Sequence, residues 1–115
     1  MKVGFIGLGN AGGKLAGSLL RNGVELTVRD LDKVIAKNLL KEGAKWADSP
    51  KQMAENVDMV ITCLPSPSVC ANVMEGEDGI LNGLSKGKIW AEMSTTDSNE
   101  VKRLSKRVLA LGAHP

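Results

Sequence analysis

Lys2-Val3-Gly4-Phe5-Ile6-Gly7-Leu8-Gly9-Asn10-Ala11-Gly12 decides how this chain folds. Lys2–Ile6 reads as a strand, and glycines 7, 9 and 12 follow at once, ahead of Leu15, Ala16, Leu19 and Leu20 at helical spacing. A strand that turns through glycines straight into a helix predicts the first step of a β-α-β unit.

Working outward, the same alternation continues to the end of the chain. Further strands are expected at Glu25–Arg29, Lys45–Ala47, Asp58–Leu64 and Lys88–Met93, the last two with near-continuous apolar stretches, as befits strands covered on both faces. Leu31, Val34, Ile35 and Leu39 mark a second helix, expected like the first to pack on the sheet. Ser49-Pro50 with Gln52, and Ser66-Pro67, carry N-cap and first-turn chemistry. Asp97 with Glu100 repeats the capping logic before the stripe Val101, Leu104, Val108 and Leu111, which Gly112 should stop. Strands alternating with helices predict an α/β fold, a doubly wound parallel sheet in three αβα layers, with residues 1–115 forming one domain.

Composition narrows the partners. The chain has 115 residues, 43% of them hydrophobic, and 15 Lys and Arg against 13 Asp and Glu give a net charge of +2, too small to imply a nucleic acid. The basic cluster Lys102, Arg103, Lys106 and Arg107 reads as the solvated face of the last helix. Cys63 and Cys70 show no paired spacing and no His cluster accompanies them, so reduced thiols, a cytosolic setting and no metal are expected. The apolar run after Met1-Lys2 is too short for a signal peptide, and nowhere do 18 apolar residues occur together, so neither secretion nor a membrane is expected.

Gly7-Leu8-Gly9-Asn10-Ala11-Gly12 fits G-x-G-x-x-G in the context that gives the motif meaning. Gly7 permits a tight turn, Gly9 lets a diphosphate approach the backbone, and Gly12 lets the helix press on the strand. The open N–H groups and positive dipole of that helix would then neutralise the phosphates. Gly12-Gly13-Lys14 brushes against the triphosphatase loop, but Leu8 replaces its first glycine and Leu15 its metal-binding hydroxyl. A dinucleotide is the better ligand. Asp30, 18 residues past Gly12, stands where an acid accepts hydrogen bonds from the adenosine ribose and repels a 2′-phosphate, with Asp32 adding charge. Its competing role is a helix cap. NAD is therefore favoured and NADP kept as the alternative, because Arg29 could swing round to a phosphate.

Three further segments make the pattern specific. Cys63-Leu64-Pro65-Ser66, Gly76-Glu77-Asp78-Gly79-Ile80-Leu81 and Glu92-Met93-Ser94-Thr95-Thr96, in order after the glycine loop, resemble the β-hydroxyacid dehydrogenases. This is the family of 3-hydroxyisobutyrate, tartronate semialdehyde and 6-phosphogluconate dehydrogenases. The resemblance implies a Rossmann domain that binds a nicotinamide dinucleotide through Gly7, Leu8, Gly9, Asn10, Ala11, Gly12 and Asp30. It implies that Leu64 and Pro65 lie against the adenosine half, that Thr95 approaches the nicotinamide, and that Ser94 and Thr95 belong to an Asp-x-Ser-Thr element that binds a small hydroxyacid. The sequence departs from the family at Ala11, where Met is common, at Glu92, where Asp is usual, and at Thr96-Asp97-Ser98, where a proline is expected.

Family members run on into a further substrate-binding strand and a helical domain that carries the catalytic lysine, whereas this sequence reaches Ala113-His114-Pro115 where that strand would begin. The resemblance thus implies an oxidoreductase domain without its helical partner and without a catalytic residue of its own, and none is nominated. Self-association through the exposed sheet edge is expected. The alternative is a stand-alone, non-catalytic dinucleotide-binding module; a methyltransferase using the glycine loop for S-adenosylmethionine is disfavoured by Leu64-Pro65 and Ser94-Thr95.

Overall fold

The computed structural model describes residues 1–93 and 98–115. Strands β1 (Lys2–Ile6), β2 (Glu25–Arg29), β3 (Lys45–Trp46), β4 (Met59–Thr62) and β5 (Ile89–Glu92) form one sheet in the order β3-β2-β1-β4-β5, every pair parallel. The chain works outward from β1 to β3, then crosses back to lay β4 on the other side of β1. β1 and β2 occupy the expected residues; the other three strands are trimmed at their ends relative to the sequence reading.

Helices cover both faces, completing the three layers. Val3, Phe5, Leu26, Val28 and Ile61 point to one face with Ala16 of α1 (Asn10–Arg21) and Leu39 of α2 (Lys37–Lys41). Ile6, Val60 and Trp90 point to the other, against α3 (Pro50–Asn56), α4 (Pro67–Glu75) and α5 (Ser98–Ala110). Gly4 of β1 makes the second layer close, because a Cβ there would collide with the Met53 side chain of α3. Parallel strands buried on both faces need such double cover.

The caps follow the serines. Ser49 Oγ accepts the Gln52 amide at 3.0 Å, and the Gln52 side chain reaches back to the Asp48 amide at 2.7 Å, one residue earlier than a capping box would place it. Ser66 Oγ accepts the Val69 amide at 3.3 Å. The far end of α3 is closed by another element: Lys88 Nζ donates to the carbonyls of Ala54 and Glu55. Asp97, the cap expected for α5, lies outside the described residues. Leu104 and Val108 of α5 are buried, and Gly112, at φ +77°, ends the turn that follows the helix.

The segment after β2 departs from expectation. Leu31, Val34 and Ile35 do not pack on the sheet: Leu31 is 93% and Val34 75% exposed, and residues Lys33–Ala36 form a 3-10 turn before the short α2. Only Leu39 of that stripe is buried, together with Ala36. Asp32 starts the tighter turn by accepting the Val34 amide at 3.0 Å, and the first three apolar residues then stand beyond the carboxyl end of the sheet.

Past α5 the chain returns to the sheet, where His114 forms a parallel bridge with Ile89. The Trp90 amide donates to His114 O at 2.7 Å and the His114 amide to Lys88 O at 2.8 Å. The outer side of β5 is thus partly occupied by the residues that follow α5.

Candidate functional site

The reversal of strand order opens a groove of about 610 Å³ at the carboxyl end of the sheet. Ligands of open α/β sheets bind at such switch points. Its floor is the glycine loop, with Gly7, Gly9, Ala11 and Gly12 all lining it, and Asp30, Leu64 and Pro65 line its walls. Leu8 is buried beneath the loop. Asn10 opens α1. Ser94 and Thr95 lie outside the described residues.

The three motif glycines are glycine for different reasons. At Gly7, φ is +100°, and a Cβ would strike the Cys63 carbonyl. At Gly12 a Cβ would strike the Gly7 carbonyl and press on the Phe5 ring, so this glycine sets how closely α1 approaches β1. At Gly9 a Cβ would meet nothing within 4 Å, and its φ of −63° suits any residue. Neither packing nor backbone strain requires glycine there. Gly9 is also the N-cap of α1, which has no side-chain cap and no acidic residue in its first turn, so the helix presents open amides to the groove. A diphosphate fits that cradle.

Asp30 is fixed by backbone donors. Its Oδ2 accepts the Leu8 amide at 2.8 Å and its Oδ1 the Asp32 amide at 3.1 Å. One carboxylate therefore ties the glycine loop to the turn after β2, while each oxygen retains capacity for a further donor. The capping role foreseen as its rival falls to Asp32 instead.

Arg29 takes a separate course. Its Nη1 donates to the Ala47 carbonyl at 2.8 Å, and its Cζ lies 5.6 Å from the centre of the Trp46 ring. Lys33 Nζ lies 5.3 Å from the same ring. Sequence reasoning missed this partnership, and missed Ile35, Val69 and Val73 as groove walls. The i, i+4 spacing of Val69 and Val73 on α4 was the available signal for one wall.

Residues 2–114 match the family model described as the NAD binding domain of 6-phosphogluconate dehydrogenase. The chain belongs to that family. This NAD-binding domain is 39% identical over 111 residues to mouse mitochondrial 3-hydroxyisobutyrate dehydrogenase, covering 96% of the chain and 33% of the relative. It is 34% identical over 110 residues to 3-sulfolactaldehyde reductase of Escherichia coli strain K12, covering 96% of the chain and 37% of that protein. Among solved structures, 3-hydroxyisobutyrate dehydrogenase from Salmonella typhimurium superposes with a TM-score of 0.89 at 29% identity, over 98% of this chain and 39% of that one. The chain spans about a third of the length of the curated relatives it matches.

The NAD-binding domain carries a second polar cluster where β4 and β5 end. Trp90 Nε1 donates to Thr62 Oγ1 at 3.0 Å, Thr62 Oγ1 donates to Glu92 Oε2 at 2.8 Å, and Cys70 Sγ donates to the same oxygen at 3.0 Å. Burial, reinforced by the hydrogen bond to Glu92 and its charge, pushes the Cys70 thiol far up and keeps it protonated. Glu92, which stands where the resemblance expects Asp, is therefore held from two other elements, β4 through Thr62 and α4 through Cys70, two residues before Ser94. Both cysteines are free, and no cluster of three metal-ligating side chains occurs among the described residues. No helix among the described residues is long and apolar enough to cross a membrane.

Proposed function

We propose that this chain is the cofactor-binding unit of a hydroxyacid dehydrogenase of the 3-hydroxyisobutyrate type, holding the NAD diphosphate at Gly7–Gly12 and the adenosine ribose at Asp30. The observation that carries the reading is Gly9, a glycine the fold does not need, placed where a side chain would fill the space before the first amides of α1. In this reading Leu64 and Pro65 bear on the adenosine half, Thr95 meets the nicotinamide, and Ser94 and Thr95 meet the hydroxyacid. The bound nicotinamide supplies hydride acceptance and donation at its C4. This chain's own part is to grip, orient and screen the dinucleotide, and the proton-handling lysine comes from outside these residues. NAD is preferred over NADP because Asp30 bears a negative charge at the ribose and Arg29 is turned to Ala47 and Trp46.

The part of the outer side of β5 that His114 does not pair is the proposed surface for self-association, and the two free thiols suit a reducing compartment, the cytosol in this reading. Calorimetric titration with NAD and NADP tests the proposal. Binding of NAD is expected, weakened at least tenfold by Gly9→Ala, with no oxidation of 3-hydroxyisobutyrate by this chain alone. Failure to bind either nucleotide would overturn the assignment, and turnover would overturn the external lysine. Asp30→Asn is a better companion than Asp30→Ala, which also strips the Leu8 amide of its acceptor.

A further inference from the structure

Two cations flank Asp30 in the chain, Arg29 before it and Lys33 after it, and either is long enough to meet a phosphate placed on the ribose that Asp30 holds. Both are instead gathered on one indole. Val28 pairs with Trp46 across the β2–β3 register, so Trp46 stands beside the strand end from which Arg29 and Asp30 emerge. Arg29 Cζ lies 5.6 Å and Lys33 Nζ 5.3 Å from the ring centre, both within range of a cation–π contact. The Ala47 carbonyl, one residue past Trp46, takes a 2.8 Å hydrogen bond from Arg29 and sets its direction. Arg29 nevertheless borders the groove alongside Asp30 and Leu31, so it needs only a change of side-chain rotamer to enter it.

We infer that Trp46 is a specificity-determining positioning residue: its ring keeps Arg29 and Lys33 off the ribose end of the groove and so holds the site to a dinucleotide with a free 2′-hydroxyl. The inference rests on the dinucleotide reading above. In that arrangement the carboxylate of Asp30 repels a 2′-phosphate, and the indole withholds the two charges that could compensate. Selectivity then depends on β3, a strand of two residues that pairs with β2 at the edge of the sheet.

The test is the ratio of NAD to NADP dissociation constants by calorimetry in a small set of variants. Trp46→Leu is expected to improve NADP binding relative to NAD by about fivefold, the equivalent of one exposed cation–π contact released. Trp46→Phe, which keeps a ring, should move the ratio less. Arg29→Ala in the otherwise unaltered chain should leave NADP affinity where it was, because the guanidinium is not in use there; combined with Trp46→Leu it should reduce the gain, and Arg29→Ala with Lys33→Ala together should erase it. An unmoved ratio in Trp46→Leu overturns the inference. So does a loss of NADP affinity in Arg29→Ala or Lys33→Ala alone, a measurement that decides the matter even if Trp46→Leu does not fold. An unaltered chain that binds neither nucleotide overturns the dinucleotide reading and this inference together; one that binds NAD with an unmoved ratio overturns this inference alone.

Discussion

Thr62 and Glu92 face each other in the β4–β5 register, and the Thr62 hydroxyl donates to Glu92 Oε2 at 2.8 Å. The same hydroxyl oxygen accepts from the indole of Trp90, a buried ring at the centre of one core layer. Thr62→Val keeps the shape and removes both bonds, leaving a buried indole N–H without an acceptor. A loss of about 1–3 kcal/mol is expected, read as a lower urea midpoint with unchanged slope.

The two cysteines should separate by reactivity. Cys70 is buried, protonated and donates to Glu92, whereas Cys63 is half exposed. A thiol reagent at pH 8 should therefore modify one cysteine in the folded chain and both in urea. Prompt modification of Cys70 in the folded chain would mean that its cover on α4 opens readily.

The motif glycines should respond differently to the same methyl group. Gly12→Ala drives a Cβ into the Gly7 carbonyl and the Phe5 ring and should cost at least about 1–3 kcal/mol of stability. Gly9→Ala meets open space and should leave stability within about 0.5 kcal/mol of the unaltered chain. Denaturation curves of the two variants, run without nucleotide, check this contrast separately from any binding effect.

An acid-sensitive ion network lies on the far side of the sheet. Glu75 of α4 pairs with Arg103 and Arg107 of α5, and Arg103 also pairs with Glu100. Hydrogen bonds from Arg103 first and Arg107 next lower the Glu75 pKa to about 2, from an ordinary 4.5. A depressed carboxyl binds its proton more readily in the unfolded chain, so the network's contribution is complete above pH 4.5 and is lost as pH falls toward 2. Melting temperature should drop across that window, and Glu75→Gln should melt lower at neutral pH and show a shallower acid drop.

Much of this fold could be read from the residue pattern, because the strands are short, apolar or alternating, and followed by glycine or cap chemistry. The glycine loop and Asp30 could be placed for the same reason. The segment from Leu31 to Leu39 could not, since helical spacing records that side chains share a face but not whether that face meets a sheet or an open groove. Arg29 was ambiguous because its fate depends on Trp46, which reaches it through strand pairing rather than through local sequence. Ser94, Thr95 and the Asp97 cap lie outside the described residues.

Because all five strands run parallel, the groove gathers at one rim while the opposite rim consists of connections such as Asn22-Gly23 and Glu42-Gly43. Gly23 and Gly43 sit at φ +83° and +111° with nothing within 4 Å of a would-be Cβ, so these bends are roomy as well as remote. Their exposed neighbours Asn22 and Glu42, free of the positive φ that keeps the two glycines glycine, offer places to graft a fluorophore, an affinity tag or a tether to a sensor surface while leaving the opposite mouth clear, a consequence of strand direction alone.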